Sequence, residues 1–144
     1  MSNKLAMLVA VAVLAGGAAR ADGPDPIAMR QAGQDLLAGD FAGIRALVAA
    51  KGDVKTLELP AKAMARWMTL FPGLFPPGSD KGDTKALPAV WTDPAGFHKA
   101  AEDFVAAASK LSELAKAGDA DGVAAQIKPV GDACGACHRT YRAR

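Results

Sequence analysis

The chain has 144 residues, with 17 basic and 15 acidic side chains, two cysteines and two histidines. That length supports one domain with a real core and is too short to expect two. The near balance of charge excludes the basic stripe that a nucleic-acid surface needs.

Residues 1–21, "MSNKLAMLVAVAVLAGGAARA", start with a basic region at Lys4. An apolar run from Leu5 to Leu14 follows, then small residues leading to Ala19-Arg20-Ala21. This pattern predicts a secretory signal peptide cleaved ahead of Asp22. A membrane anchor is the weaker reading, because the run is about half the roughly 20 residues that span a bilayer. Cleavage removes Lys4 and Arg20 and no acid, leaving 15 charges of each sign in the mature domain, residues 22–144. The basic cluster Arg139, Arg142 and Arg144 suits a solvated C-terminal helix end.

Four segments of the mature chain have helical periodicity. In the first, Ile27, Gln34, Leu37, Phe41, Ile44 and Val48 recur at steps of 7, 3, 4, 3 and 4, which puts them on one face. Lys51-Gly52-Asp53 is expected to end it, with glycine near the C-terminal cap. In the second, Leu57, Ala61, Met64, Met68 and Phe71 share a face, with Trp67 beside them. Pro72 to Pro94 reads as a long loop with no element of its own.

Asp93-Pro94 then supplies an N-cap and a first-turn proline. Phe97, Ala101, Phe104, Ala108, Leu111 and Ala115 form the stripe of the third helix, which Gly118 stops. The fourth carries Val123, Ile127, Val130, Cys134, Cys137 and Tyr141 on one seam, with Pro129 predicting a bend or break. Four amphipathic helices without a strand signal predict an all-α, antiparallel up-down four-helix bundle.

Both cysteines and one histidine fall within "CGACH", residues 134–138. A disulfide between cysteines so close would close only a small ring and add little stability, so the pair reads as chemical. C-x-x-C-H is the attachment signature of a c-type haem: two thiols on one helix face can each join a vinyl group, and His138 follows at once to reach the iron. A thioredoxin-like pair needs a βαβ frame that this chain lacks. A zinc site needs about four ligands, and His98 is the one further histidine, read as solvent-facing.

Met64, Trp67, Met68, Phe71 and Phe104 are the large side chains suited to a cofactor in the core, though ordinary packing explains each as well. Gln34 is the polar exception on the first seam. A buried amide left without a partner costs about 1–3 kcal/mol, so it must meet another helix, water or something on the open haem face.

With these residues in view the mature chain resembles the class II c-type cytochromes, most closely the cytochrome c′ family. The resemblance rests on "CGACHRTYR", "MRQAG", "LFPGLFPPGSDKGD" and "VWTDPAGF". It implies a periplasmic left-handed four-helix bundle, often a homodimer. One haem c per chain is then held covalently by Cys134 and Cys137, with His138 as the axial ligand. It also implies that Arg142 lies beside that histidine and Arg30 near the haem and its propionates, with Gln34, Trp67, Met68 and Phe104 completing the environment.

In the family the residue four after that arginine is methionine in low-spin electron carriers and apolar where the sixth site is open. Here it is Gln34. An amide is a poor iron ligand, so the sixth site is expected to be vacant or water-occupied, with Gln34 hydrogen-bonding to NO, CO or water there.

The resulting expectation is a non-enzymatic protein that transfers single electrons and binds NO or CO, with small redox proteins or membrane electron donors as partners. A low-spin shuttle with Met29, Met64 or Met68 as the outer ligand is the alternative. A haem-free thiol–disulfide or metal-carrier protein is a third reading.

Overall fold

The computed structural model describes residues 23–144; the predicted leader, 1–21, lies outside the described residues. Its elements are α1 (Pro26–Ala49), a 3₁₀ turn (Val54–Leu57), α2 (Glu58–Leu70), a second 3₁₀ turn (Phe71–Leu74), the single-turn α3 (Ala89–Thr92), α4 (Pro94–Ala117) and α5 (Ala120–Tyr141).

Aspartates start three of the four long helical stretches. Asp25 accepts from the Ile27 N–H at 2.8 Å, Asp93 from Gly96 at 3.1 Å and Asp119 from Gly122 at 2.9 Å. Each satisfies an N–H that the first helical turn leaves free. Gly118 ends α4 at φ 73°, a left-handed position that suits a residue without Cβ. At the end of α1 the left-handed residue is Lys51, at φ 55°, with the expected glycine next to it near the cap. Gly52 follows it and donates its N–H to the Leu47 carbonyl at 3.0 Å.

The long helices pack in a ring, α1 to α2 to α4 to α5 and back to α1. Two polar links show that chain neighbours run antiparallel. Ser112, late in α4, donates to the Glu58 carbonyl at the start of α2 at 3.0 Å; Gln126, early in α5, donates to the Ala107 carbonyl of α4 at 3.0 Å. The core is the expected α4 stripe meeting Ala61, Met64 and Met68 of α2 and Val123 and Val130 of α5. Each large side chain so buried contributes about 1.5–3 kcal/mol through loss of water contact.

Three expectations need correction. The buried face of α1 runs through Arg30, Gly33, Leu37 and Ile44, whereas Ile27 and Gln34 lie half-buried beside it. A guanidinium and a glycine carry no hydrophobic signal, which is why periodicity passed over them. The Pro72–Pro94 stretch holds two short helical elements and is tied to three helices. Pro129 does not break α5. Its ring costs the Ala125 carbonyl a donor, but Ala125 is exposed, so water can replace it.

Candidate functional site

α1 runs opposite to α5, so the first turns of α1 face the last turns of α5. The other ends of the same two helices meet around Ala42, Ala46, Ala49, Ala124 and Ile127. Cys134 and Cys137 are half-buried on the inner seam of α5, one turn apart, packed against the core and not joined to each other. Burial pushes both thiols up, which keeps them as neutral S–H groups at neutral pH.

His138 turns outward and is exposed. Its Nδ1 lies 3.4 Å from a guanidinium nitrogen of Arg142, one turn later. Partial desolvation and then the Arg142 charge push the imidazole down. A neutral ring keeps a lone pair for a metal. His98 is exposed on α4. Among the described residues no three His, Cys, Asp or Glu side chains converge on one metal position; two thiols and one imidazole at the end of α5 fall short of the four ligands of a zinc site and suit a haem.

The C-terminal end of α5 is fixed by Tyr141. Its hydroxyl donates to the second carboxylate oxygen of Asp93 at 2.9 Å, while the first caps α4. Its ring meets Phe97 edge-on at 5.2 Å, and its carbonyl accepts from Leu87 at 3.0 Å. Ala143 adds a bond to the Lys85 carbonyl at 2.8 Å. The helical seam accounts for Tyr141 only as a packed residue; its partnership with Asp93 joins residues 48 apart and leaves no local sequence signal.

Across the bundle Arg30 is 4% exposed. It donates to the Leu74 carbonyl at 3.2 Å, the Ser79 hydroxyl at 3.0 Å, the Ser79 carbonyl at 2.7 Å and the Thr84 hydroxyl at 2.7 Å. It also lies over the Phe75 ring, 4.5 Å from its centroid. Burial pulls the guanidinium's pKa down, with Asp25 opposing. Arg30 thus organises the Pro72–Pro94 connection, and Trp91 fastens it again by donating to the Phe75 carbonyl at 3.1 Å.

Gln34 follows Gly33 and is half-buried. Gly33 itself abuts Trp67: a Cβ there would run into indole carbons. The Trp67 Nε1–H is buried without an acceptor. Met64, Met68 and Phe104 are buried in the core, while Met29 is 38% exposed and off the inner face. The site therefore draws together Cys134, Cys137, His138 and Arg142 at one end of α5. Arg30 and Gln34 lie in the first half of α1 and Trp67 in the last turn of α2.

A helical bundle carrying C-x-x-C-H at the end of its last helix defines a class, the c-type haem proteins of bundle fold. The family model described as Cytochrome C′ matches residues 25–142. A cytochrome c′ of Rubrivivax gelatinosus is 36% identical over 121 residues, 82% of this chain and 94% of that protein. One from Allochromatium vinosum is 31% identical over the whole of this chain and 97% of its own length. The crystal structure of the Rubrivivax protein aligns with a TM-score of 0.74 over 83% of this chain and 95% of its own. A nitric oxide complex of a variant of the Alcaligenes xylosoxidans protein aligns with 0.75 at 31% identity, over 83% of this chain and 94% of that one. A cytochrome c′ described by its unusual ligand-controlled dimer dissociation aligns with 0.77 at 32% identity, over 83% and 95%.

The chain belongs to the cytochrome c′ family, the class II c-type cytochromes. It is an electron-carrying protein whose cofactor is covalently bound haem c. No helix among the described residues is long and apolar enough to cross a membrane.

Proposed function

We propose that this chain is an exported, periplasmic protein that passes single electrons and binds NO or CO at a haem iron left open on its Gln34 side. The observation that carries the reading is the arrangement at the end of α5: two half-buried thiols one turn apart and not joined to each other, followed at once by an exposed imidazole beside Arg142. Cys134 and Cys137 would hold the haem through thioether bonds, with His138 on the iron's axial position. When bound, the group supplies a reversible one-electron couple and a coordination position for a diatomic gas.

The protein's own residues set the conditions. Arg142 disfavours protonation of His138, keeping it available as a ligand. The buried Met64, Met68 and Phe104 keep the inner space apolar and exclude water. Gln34 offers both an amide donor and an acceptor on the α1 side, where a neutral ligand would gain a hydrogen bond. The gas complex of the Alcaligenes relative supports the ligand class. Residues 1–21 support export, with small redox proteins or membrane donors as electron partners. The function is transfer and binding without substrate turnover.

Exposed large apolar side chains among the described residues are Met29, Leu36, Leu59 and Leu70, all on α1 and α2. That distribution supports a homodimer built on those two helices.

The attachment is tested by mass analysis of holoprotein made in cells that mature c-type cytochromes. The expected result is one covalent haem on the Cys134–His138 peptide, lost in the Cys134→Ser, Cys137→Ser double variant. Covalent haem retained in the double variant would overturn the assignment.

A further inference from the structure

The inner face between α1 and α2 lacks one chemical partner in two places. Arg30 is a buried guanidinium whose hydrogen bonds all go to neutral atoms, the Leu74 and Ser79 carbonyls and the Ser79 and Thr84 hydroxyls. Those four bonds use both N–H groups of each terminal nitrogen and leave Nε–H uncommitted. The ion pairs among the described residues are Lys99 with Asp103, Lys110 with Glu113 and Lys128 with Asp132, all on the surface of α4 and α5. The Arg30 charge is therefore out of water and in no ion pair, with only the more distant Asp25 charge favouring it, a costly state.

The second place is Trp67. Its Nε1–H is the one buried side-chain polar atom among the described residues that lacks a partner, although a buried indole N–H ordinarily finds one. The two places adjoin. The Trp67 indole lies on Gly33, one turn along α1 from Arg30. From Trp67 the aromatic contacts pass through Phe71, at 6.1 Å between centroids, to Phe75, at 5.0 Å, the ring beneath Arg30. A buried guanidinium in no ion pair and an unsatisfied N–H both call for an anionic oxygen, which forms the stronger, charge-assisted kind of hydrogen bond.

We propose that Arg30 and the Trp67 indole form two sides of a carboxylate-binding corner between α1 and α2, and that a carboxylate side group of the haem occupies it. The inference rests on haem attachment at Cys134 and Cys137. The family resemblance implies Arg30 alone near the propionates; Trp67 is the added element, a positioning residue that fixes how the cofactor is seated. Gly33 is what lets the indole reach that position, since any side chain there would displace it. A free anion such as phosphate shares the chemistry, so the test separates the two sources.

Ultraviolet-excited resonance Raman of the unmodified holoprotein reads whether indole N–H groups are hydrogen-bonded. The expected result is both indoles bonded, Trp91 through the Phe75 carbonyl and Trp67 through the carboxylate, with no change on adding inorganic phosphate. A free indole signal overturns the corner, and a signal that moves with phosphate overturns the haem occupant. Visible-excited Raman of Trp67→Phe, which keeps a flat ring on Gly33 and removes the donor, should show the haem carboxylate-bending band shifted from its position in the unmodified protein. A band left in place overturns the proposal. Because the indole measurement uses the unmodified chain, it decides the matter even if the variant does not fold. Mass analysis of the haem peptide separates the two levels. Haem found on another segment removes the attachment reading and the corner with it; haem on Cys134 and Cys137 beside a free indole removes the corner alone.

Discussion

At the scale of single residues, the tightest approach to an absent Cβ is at a glycine. Gly33 has an ordinary helical backbone; it matters because the Trp67 indole occupies the space of its Cβ. Gly33→Ala gains helix propensity of about 1 kcal/mol, but must push a half-buried indole out of its seat, and overpacking of this kind costs about 1–3 kcal/mol. The expected outcome is a net loss of stability of about 1 kcal/mol in chemical denaturation of the holoprotein, with a changed near-ultraviolet tryptophan signal. A variant as stable as or more stable than the parent would show that the indole is free to move. Residues of this kind were the hardest to read. Gln34 drew notice because it was polar on an apolar seam, whereas Arg30 and Gly33 fell out of the pattern although they are more buried. Hydrophobic periodicity weighs a side chain by its chemistry, and it has no means of seeing a charge buried by four hydrogen bonds or an absent Cβ filled by a neighbour.

At the scale of elements, legibility followed the range of the forces involved. The span and inward face of α4 were readable because every determinant is local: Asp93 and Pro94 at the start, Gly118 at the end and a stripe at steps of 4 and 3 between them. The Pro72–Pro94 connection was not, because its order comes from Arg30 and Trp91, through bonds that close 44 to 54 positions for Arg30 and 16 for Trp91. The same holds for the end of α5, where Asp93 serves as cap for one helix and acceptor for Tyr141 of another. Removing that hydroxyl leaves a carboxylate oxygen short of a donor and loosens the turn that carries His138. Tyr141→Phe should cost about 1–2 kcal/mol, the worth of a hydrogen bond to a charged group. In proton exchange it should speed the amides of Leu87 and Ala143, which bond to and beside this turn, more than those of α4. Uniform acceleration across the helices would mean that Tyr141 contributes to global stability without holding this end in particular.

At the scale of the whole molecule, the bundle separates two faces with different duties. The inner seam of α5 carries Cys134 and Cys137, while the outer faces of α1 and α2 carry exposed leucines at 73%, 69% and 67% exposure, Leu36, Leu59 and Leu70. If those faces pair in a homodimer, Leu36→Glu should shift the protein to monomer in sedimentation while leaving its absorption spectrum unchanged. A variant with the sedimentation of a dimeric parent would place the interface elsewhere. The architecture, the attachment motif and the family were all legible in the chain, since each depends on spacing. The seating of the cofactor was not, since it depends on which helices come to face one another.

The central claim is that haem held at the end of α5 keeps an open coordination position beside Gln34. The absorption spectrum of the holoprotein, ferric and then ferrous, before and after CO, tests it most directly. The account predicts high-spin bands in both oxidation states and a clear shift when CO is added to the ferrous protein. Sharp low-spin bands that CO leaves unmoved would show a sixth ligand supplied by the protein and contradict it.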